Sequence, residues 1–342
     1  MVARDSWGIH IIVMRTRRLN SSSDPVPPSK VAHRATLLDT EATRHIPVLL
    51  HETIRELAIA RGDIVVDTTL GGAGHASAIA ERLGAKGLLI GIDADHAAIE
   101  RSRNALAHFN NTKIHLIEGN FRNLAAILNT LDVPTIDKAL FDLGWSGYQL
   151  AAGKGFSFLR DEPLLMTYGE PGEGTLTART IVNEWSEDSI ADVLFGWGEE
   201  RYARRIAKKI VERRTREPIE TSMQLAAIVK EAVPPKYRFG RIHPATKTFQ
   251  ALRIAVNDEL GALSKGLSAA WEHLREDGRI AVITFHSIED REVKHLFAGW
   301  EKSGSGKRVA KKPIRPTREE IERNPRARSA KLRVVKKVLQ EI

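Results

Sequence analysis

The chain contains no cysteine. Disulfides, thiolate zinc sites and cysteine nucleophiles are therefore excluded together. No other metal motif is evident. No apolar run approaches the roughly 18 residues that a membrane-spanning helix needs. The apolar stretch 9–14 is too short to span, and no small-residue cleavage site of a secretory signal accompanies it. Charge of one sign is also missing from most of the chain. Residues 1–299 hold 38 basic and 38 acidic side chains, so the whole net charge of +9 lies in residues 300–342, with 14 Lys/Arg against 5 Asp/Glu. Such a segment suits contact with a polyanion. It is equally what a solvated tail looks like. The remaining composition, 42% hydrophobic and 28% charged over 342 residues, is that of a globular chain. Its length suffices for one large α/β domain with an insertion, or for two domains.

Residues 1–44 differ from the rest. The run Ser21-Ser22-Ser23-Asp24-Pro25-Val26-Pro27-Pro28-Ser29 is linker-like, and the segment reads as a flexible N-terminal extension. Its Arg and Ser content suggests a targeting peptide, but its four acidic residues argue against one. From His45 a regular pattern begins. The spacing predicts a helix over 51–61, a buried strand over 63–68, a glycine turn at 71–74 and a helix over 76–83. A strand over 87–93, a helix through Leu106, and strands over 113–117 and 136–143 follow. Strands and helices alternating at this spacing predict a parallel sheet covered on both faces. The alternation stops over residues 150–250, which read as loops and helices. It resumes with a helix over 256–274, a strand over 278–285 and a closing strand over 332–339. The expected organisation is one discontinuous α/β domain, 45–149 with 251–342, interrupted by a mostly helical insertion at 150–250.

Ligands of such sheets sit beyond the carboxyl ends of the strands. The first strand ends in Asp67 and runs into Thr68-Thr69-Leu70-Gly71-Gly72-Ala73-Gly74-His75. The second ends in Asp93, about 20 residues on, where a carboxylate accepts hydrogen bonds from ribose hydroxyls. Two nucleoside-bearing cofactors fit, a nicotinamide dinucleotide and S-adenosylmethionine. A dinucleotide fingerprint ends in Gly or Ala, whereas Gly72-Ala73-Gly74-His75-Ala76-Ser77 ends in Ser. An acid at the end of the first strand also suits a cationic amino-acid cofactor better than a pyrophosphate. A glycine turn with no ligand remains the plain alternative. Asp142 ends the fourth strand, in Phe141-Asp142-Leu143-Gly144. It is a candidate acceptor for the hydrogens of a reacting amine, or a simple cap of the next turn. His286, in Thr284-Phe285-His286-Ser287-Ile288-Glu289-Asp290, is a candidate for orienting a substrate or moving a proton. The same stretch makes a good helix N-terminus.

Two further basic clusters stand out. Arg201, Arg204, Arg205, Lys208 and Lys209 recur at helical spacing opposite Ala203, Ile206, Ala207 and Ile210. Glu199 and Glu200 before them read as favourable helix-dipole charges only. The second cluster is Lys236-Tyr237-Arg238-Phe239-Gly240-Arg241-Ile242-His243. Basic residues interleaved with aromatics grip phosphates and stack bases. Both clusters are also consistent with an ordinary solvated face and a packed loop.

Taken together, several strings carry a resemblance. They are HIPVLLHETI at 45–54, DTTLGGAGHA at 67–76, GIDAD at 91–95, FDLG at 141–144 and GFSF at 155–158. FGRIHPATKTFQALRIAVNDEL at 239–260, TFHSIEDREVK at 284–294 and NPRARSAKLRV at 324–334 complete the set. The chain resembles the bacterial RsmH (MraW) family, the small-subunit ribosomal RNA cytosine-N4 methyltransferases. The resemblance covers about 45–340. It implies a Rossmann-like class I S-adenosylmethionine-dependent methyltransferase sheet with an inserted helical substrate-recognition domain. It also implies a cytoplasmic enzyme acting on a cytosine in the decoding centre of 16S rRNA within the 30S subunit, with no membrane partner, and it leaves a homodimer open. By carry-over, Ala73, Gly74, His75, Asp93, Phe121, Asp142 and Gln149 hold the methyl donor, and Asp142 and His286 are the catalytic candidates. The missing cysteine agrees with this reading. Methylation at cytosine C5 normally needs a cysteine to attack the ring, whereas transfer to the exocyclic amine does not. The chain departs from the family at Trp145, Gly147 and Tyr148, where DLGVSSPQLD is usual, and at Leu165, Thr167, Tyr168 and Gly169, where GPLDMRMD is usual. Two other readings stay open. One is a methyltransferase of another nucleic-acid or protein amine. The other is a non-catalytic RNA-binding factor of ribosome assembly.

Overall fold

The structure is a computed structural model and describes residues 46–144, 153–240 and 242–339. Contacts divide the chain into two units, Met1–Arg44 and His45–Ile342, and the described residues belong to the second. The expected N-terminal extension and Gln149 lie outside them.

Seven strands form one sheet: β1 (Ile64–Asp67), β2 (Leu88–Asp93), β3 (Lys113–Glu118), β4 (Ile136–Asp142), β5 (Leu274–Thr284), β6 (Gly306–Arg308) and β7 (Lys331–Lys337). Their order is β3-β2-β1-β4-β5-β7-β6. The first five run parallel; β7 pairs antiparallel with β5 and with β6. Continuous buried runs, such as the six residues that open β4, Asp137 and Lys138 among them, are what a sheet covered on both faces requires. Successive strand residues alternate between two cores. Val65, Leu89, Leu140 and Ile283 face α1 (Leu50–Leu57), α2 (Gly74–Leu83) and α3 (His96–Leu106). Val66, Ile90, Phe141 and Val282 face α4 (Leu124–Thr130) and two later helices. This is the expected Rossmann-like class I methyltransferase architecture. The chain reverses its direction of strand addition between β1 and β4, so the crevice falls beyond their carboxyl ends.

Between β4 and β5 the chain is helical: α5 (Ala178–Glu184), α6 (Glu187–Gly198), α7 (Ala203–Arg214), α8 (Ser222–Ala232), α9 (Pro235–Arg238), α10 (Thr246–Asn257) and α11 (Glu259–His273). The described residues 153–177 precede these helices without a helix of their own, and the strand-type pairing there is an isolated bridge between Pro163 and Thr221. Thr177, Ser186 and Thr221 each cap a helix with a side-chain oxygen, Thr221 in a capping box with Gln224. After β5 come α12 (Ser287–Lys302) and α13 (Arg318–Arg323).

Several boundaries differ from expectation for local reasons. The first helix ends at Leu57 rather than 61, because Ala58 turns left-handed at φ 50°. The helix expected over 256–274 is two helices, broken where Asp258 adopts φ 46°. Gly74, expected in the turn, is the first residue of α2. β5 begins four residues early, with a register irregularity opposite Ile136 and Lys138. The three-residue strand β6 was not expected.

Candidate active site

The loops after β1, β2, β3 and β4 open onto one cleft. Gly74, His75, Asp93, Phe121 and Asp142 all line it. Five of the seven residues expected to hold a donor are thus brought together, although they span 69 positions of sequence.

The β1 loop is shaped by glycine and by Pro47. Gly71 sits at φ 52°, and a Cβ there would enter open cleft space. A Cβ on Gly74 would lie 2.7 Å from Pro47 Cγ, so only glycine lets the start of α2 pack against the 46–49 segment. Ala73 does not line the cleft. It is fully buried at φ 61°, and its N–H donates to Leu70 O at 2.7 Å, closing the turn from beneath. Asp93 holds the loop from the side. Its Oδ2 accepts the Gly71 N–H and its Oδ1 the Asp95 N–H, both at 2.9 Å. Burial raises its pKa, and the two backbone donors oppose that rise. Each oxygen keeps a lone pair for a further donor, which a ribose diol supplies.

Three more acids crowd the carboxyl edge of the sheet. Asp67 is 1% exposed. Its Oδ1 accepts the Thr69 N–H at 3.1 Å, and its Oδ2 has no hydrogen-bond partner. Burial, with Asp142 and Asp93 nearby, pushes its pKa to about 7. Asp142 is likewise raised to about 7, first by burial and then by Glu289. Glu289 is lowered: burial would raise it, but His286 and Arg253 hold it ionised. Thr68 and Thr69 tie β1 to β4. Thr68 Oγ1 donates to Leu140 O at 2.9 Å, and Thr69 Oγ1 accepts the Asp142 N–H at 2.8 Å.

His75 meets Asp142 directly, with Nδ1 3.5 Å from Asp142 Oδ2. Its Nε2 lies 3.1 Å from Val48 O. A carbonyl oxygen only accepts, so Nε2 carries the proton and Nδ1 faces the carboxyl. The contact with Asp142 is at ion-pair distance.

His286 does not line the cleft. Its Nδ1 accepts the Glu289 N–H at 3.3 Å, capping α12, and its Nε2 lies 2.9 Å from Glu289 Oε1. It reaches the cleft only through Glu289, which does line it. Glu259, His286 and Glu289 come close enough together to suggest a cation site. Arg253, 2% exposed, already occupies it: its Nε lies 2.6 Å from Glu259 Oε1 and its Nη2 3.9 Å from Glu289 Oε1. Burial would lower the Arg253 pKa, but these carboxylates raise it further above its ordinary value.

Of the far wall, the sequence reading singles out only Tyr168, as a departure from the family pattern. Tyr168, Asn257 and Glu259 line the cleft. Asn257 Oδ1 accepts the Tyr168 N–H at 3.0 Å and its Nδ2 donates to Met166 O at 2.8 Å; Tyr168 Oη donates to Glu259 Oε1 at 2.7 Å. The visible signal was Asn257-Asp258-Glu259, a polar break inside an apolar helical pattern.

The MraW methylase family model matches residues 42–338. Three relatives carry the name ribosomal RNA small subunit methyltransferase H. The protein of a Paenibacillus species is 47% identical, over 86% of this chain and 99% of its own. That of Symbiobacterium thermophilum is 45% identical, over 87% and 98%. That of Brevibacillus brevis is 42% identical, over 88% and 100%. S-adenosylmethionine is the cofactor of such a methylase, and the residues fit it: a glycine cradle, a carboxylate with spare lone pairs for a diol, and buried acids suited to a cation. No described helix is long and apolar enough to cross a membrane. With the cleft, the matched span and these relatives in agreement, the chain belongs to the MraW methylase family.

Proposed function

We propose that this protein transfers a methyl group from S-adenosylmethionine to the exocyclic N4 amine of a cytosine in the decoding centre of 16S rRNA, within the cytoplasmic small subunit. The observation that carries the reading is the convergence of Gly74, Asp93 and Asp142 on one cleft, with Asp142 beside His75. The names of the relatives support the substrate class. The missing cysteine supports nitrogen over ring carbon.

The donor supplies an electrophilic methyl carbon on a sulfonium. Asp93 would accept from its ribose hydroxyls. Asp67 and its acidic neighbours favour its positive charge. The amine of cytosine is a weak nucleophile because its lone pair is delocalised into the ring. Asp142 accepts an amine hydrogen and favours a more tetrahedral nitrogen, whose lone pair is then free to attack. With the donor bound, the Asp142 carboxylate would take the proton that the amine loses on methylation. His75, 3.5 Å away, would help to hold that carboxylate in place. Holding the two reactants in line supplies much of the remaining acceleration. The inserted helices carry substrate recognition in this reading.

The test is methyl transfer from labelled donor to purified small subunits, followed by identification of the modified nucleoside. N4-methylated cytidine is expected. Label on another base, or on protein, would sink the target.

A further inference from the structure

The structure joins two basic clusters that are separate in sequence. α7 carries Arg204 and Arg205 on its exposed side, and its buried side is Ala203, Ile206, Ala207 and Ile210. α9 and the residues after it carry Lys236 and Phe239. The two segments meet through Tyr202 and Tyr237, whose rings make an edge contact at 5.0 Å. The Arg201 guanidinium lies over both rings, at 4.8 and 4.9 Å. Glu200 fixes the joint from beneath. It is fully buried, and it accepts the Tyr237 hydroxyl at 2.6 Å and the Tyr202 N–H at 2.8 Å. Glu200 is therefore a structural clamp rather than a helix-dipole charge.

This face adjoins the cleft by two routes. Glu199, one residue before the clamp, accepts from Ser287 Oγ at 2.8 Å and pairs with Arg291, both on α12, the helix that carries Glu289. On the other side His243 stacks on Phe158 at 4.3 Å, and nearby Phe156 stacks on the cleft residue Tyr168 at 5.9 Å.

Phe239 is the exceptional residue on this face. It is 85% exposed, the most exposed of the large hydrophobic side chains among the described residues. Arg201, Arg204, Arg205 and Lys236, on the two segments that the Tyr202–Tyr237 contact joins, are also exposed, and no carboxylate lies within salt-bridge distance of them among the described residues. An exposed apolar ring on a face that carries unneutralised cations is poorly suited to an apolar protein groove. It suits a polyanion with aromatic bases.

We propose that this face grips single-stranded RNA flanking the target nucleotide, with Phe239 as a base-stacking platform and Arg201, Arg204, Arg205 and Lys236 on phosphates. The inference rests on the RNA reading above and adds where the strand runs. Sequence preference is not expected from it, because every base has a stacking face.

The experiment titrates the full chain against a fluorescein-labelled 20-nucleotide single-stranded RNA of mixed sequence, by anisotropy, from 50 to 300 mM KCl. Phe239→Ala is expected to raise Kd about 10-fold, and Phe239→Trp to stay within about 2-fold of the parent. Replacing Arg204 and Arg205 together by Ala is expected to reduce the slope of log affinity against log salt by about 1.4, at about 0.7 per lost phosphate contact. Calorimetry with S-adenosylhomocysteine checks folding, and parental affinity is expected in every variant. Parental RNA affinity in Phe239→Ala, or an unchanged salt slope, overturns the proposal. So does parental RNA affinity combined with lost binding to RNA-free small-subunit proteins, which makes the face a protein dock. If the variants lose RNA affinity while the parent modifies no cytosine, the surface stands and the target reading falls.

Discussion

Asp67→Asn is expected to stabilise the donor-free protein, and to do so more strongly as pH rises. The Asp67 carboxyl is 1% exposed, has one unpartnered oxygen, and titrates near 7 in place of 3.8. Between those two values the folded chain holds a proton that the unfolded chain has released. Stability therefore falls with rising pH, by about 1.4 kcal/mol per unit for this one group, and levels off above about 7. The full cost is roughly 4 kcal/mol at pH 8, and less than half of it is already present at pH 5. Asparagine keeps the oxygen that accepts the Thr69 N–H and never ionises, so it removes the pH-dependent part. The variant's advantage over the parent is expected to grow by roughly 2 to 3 kcal/mol between pH 5 and pH 8. For a body of this size that is about 5 °C in melting temperature. Thermal melts without donor, at one-unit steps of pH, measure it. The same variant is expected to bind S-adenosylmethionine less tightly, because a buried negative charge near a cation has been removed. An advantage that is flat with pH, or one that shrinks above pH 6, would refute the assignment of a buried ionising carboxyl to this position.

Three other outcomes follow from the cleft. Asp93→Ala is expected to weaken donor binding 10- to 100-fold, roughly the worth of hydrogen bonds to a charged acceptor, as read by calorimetry; unchanged affinity would remove its role at the ribose. Asp142→Asn is expected to lower turnover far more than RNA affinity. In the parent, turnover should rise with pH to a plateau above about 7, because the working form is the carboxylate and burial holds it protonated below that value; the variant should lose this limb, and a parental rate in the variant would refute the reading. Arg253→Met is expected to cost about 3 to 5 kcal/mol in urea unfolding, since buried Glu289 and half-buried Glu259 are left without their cation; a loss below about 1 kcal/mol would show that the pair carries little.

The sheet was legible because its strands obey simple rules. Asp63–Thr68 and Gly87–Asp93 are apolar runs bounded by glycine and acid, and their spacing left room for one crossover helix each. Residues at the strand ends were legible for the same reason, since topology alone places Asp67, Asp93 and Asp142 on one edge. The position of the far wall was not. Tyr168, Asn257 and Glu259 reach the cleft from the loop before α5, the end of α10 and the start of α11, which no local pattern places near β3. The break at Asp258 depends on a left-handed residue that helical periodicity does not register. A helix start was legible at Ser287, and the structure gives its cap to His286, linked to the cleft through Glu289. The basic clusters at 201–209 and 236–243 were each visible, but their union depends on Glu200, whose burial runs against what an acid before a helix usually means.

The departure at 165–169 bears on whether the cleft keeps its shape without the Arg and acids usual in the family. Met166 sits at φ 59°, a strained conformation that only a well-fixed segment tolerates. Two hydrogen bonds from Asn257 clamp it on both sides, to Met166 O and from the Tyr168 N–H. These bonds use backbone groups, so they are indifferent to the side chains at 165, 167 and 169. Tyr168 adds a third tie through its hydroxyl to Glu259, which Arg253 holds in turn. Burial raises the tyrosine pKa well above its ordinary value, so the hydroxyl stays a donor throughout the working pH range. The Arg253–Glu259–Tyr168 chain thus anchors the far wall to the buried ends of α10 and α11. The wall depends on the backbone of 166–168 and on the residues that grip it, and this chain retains both.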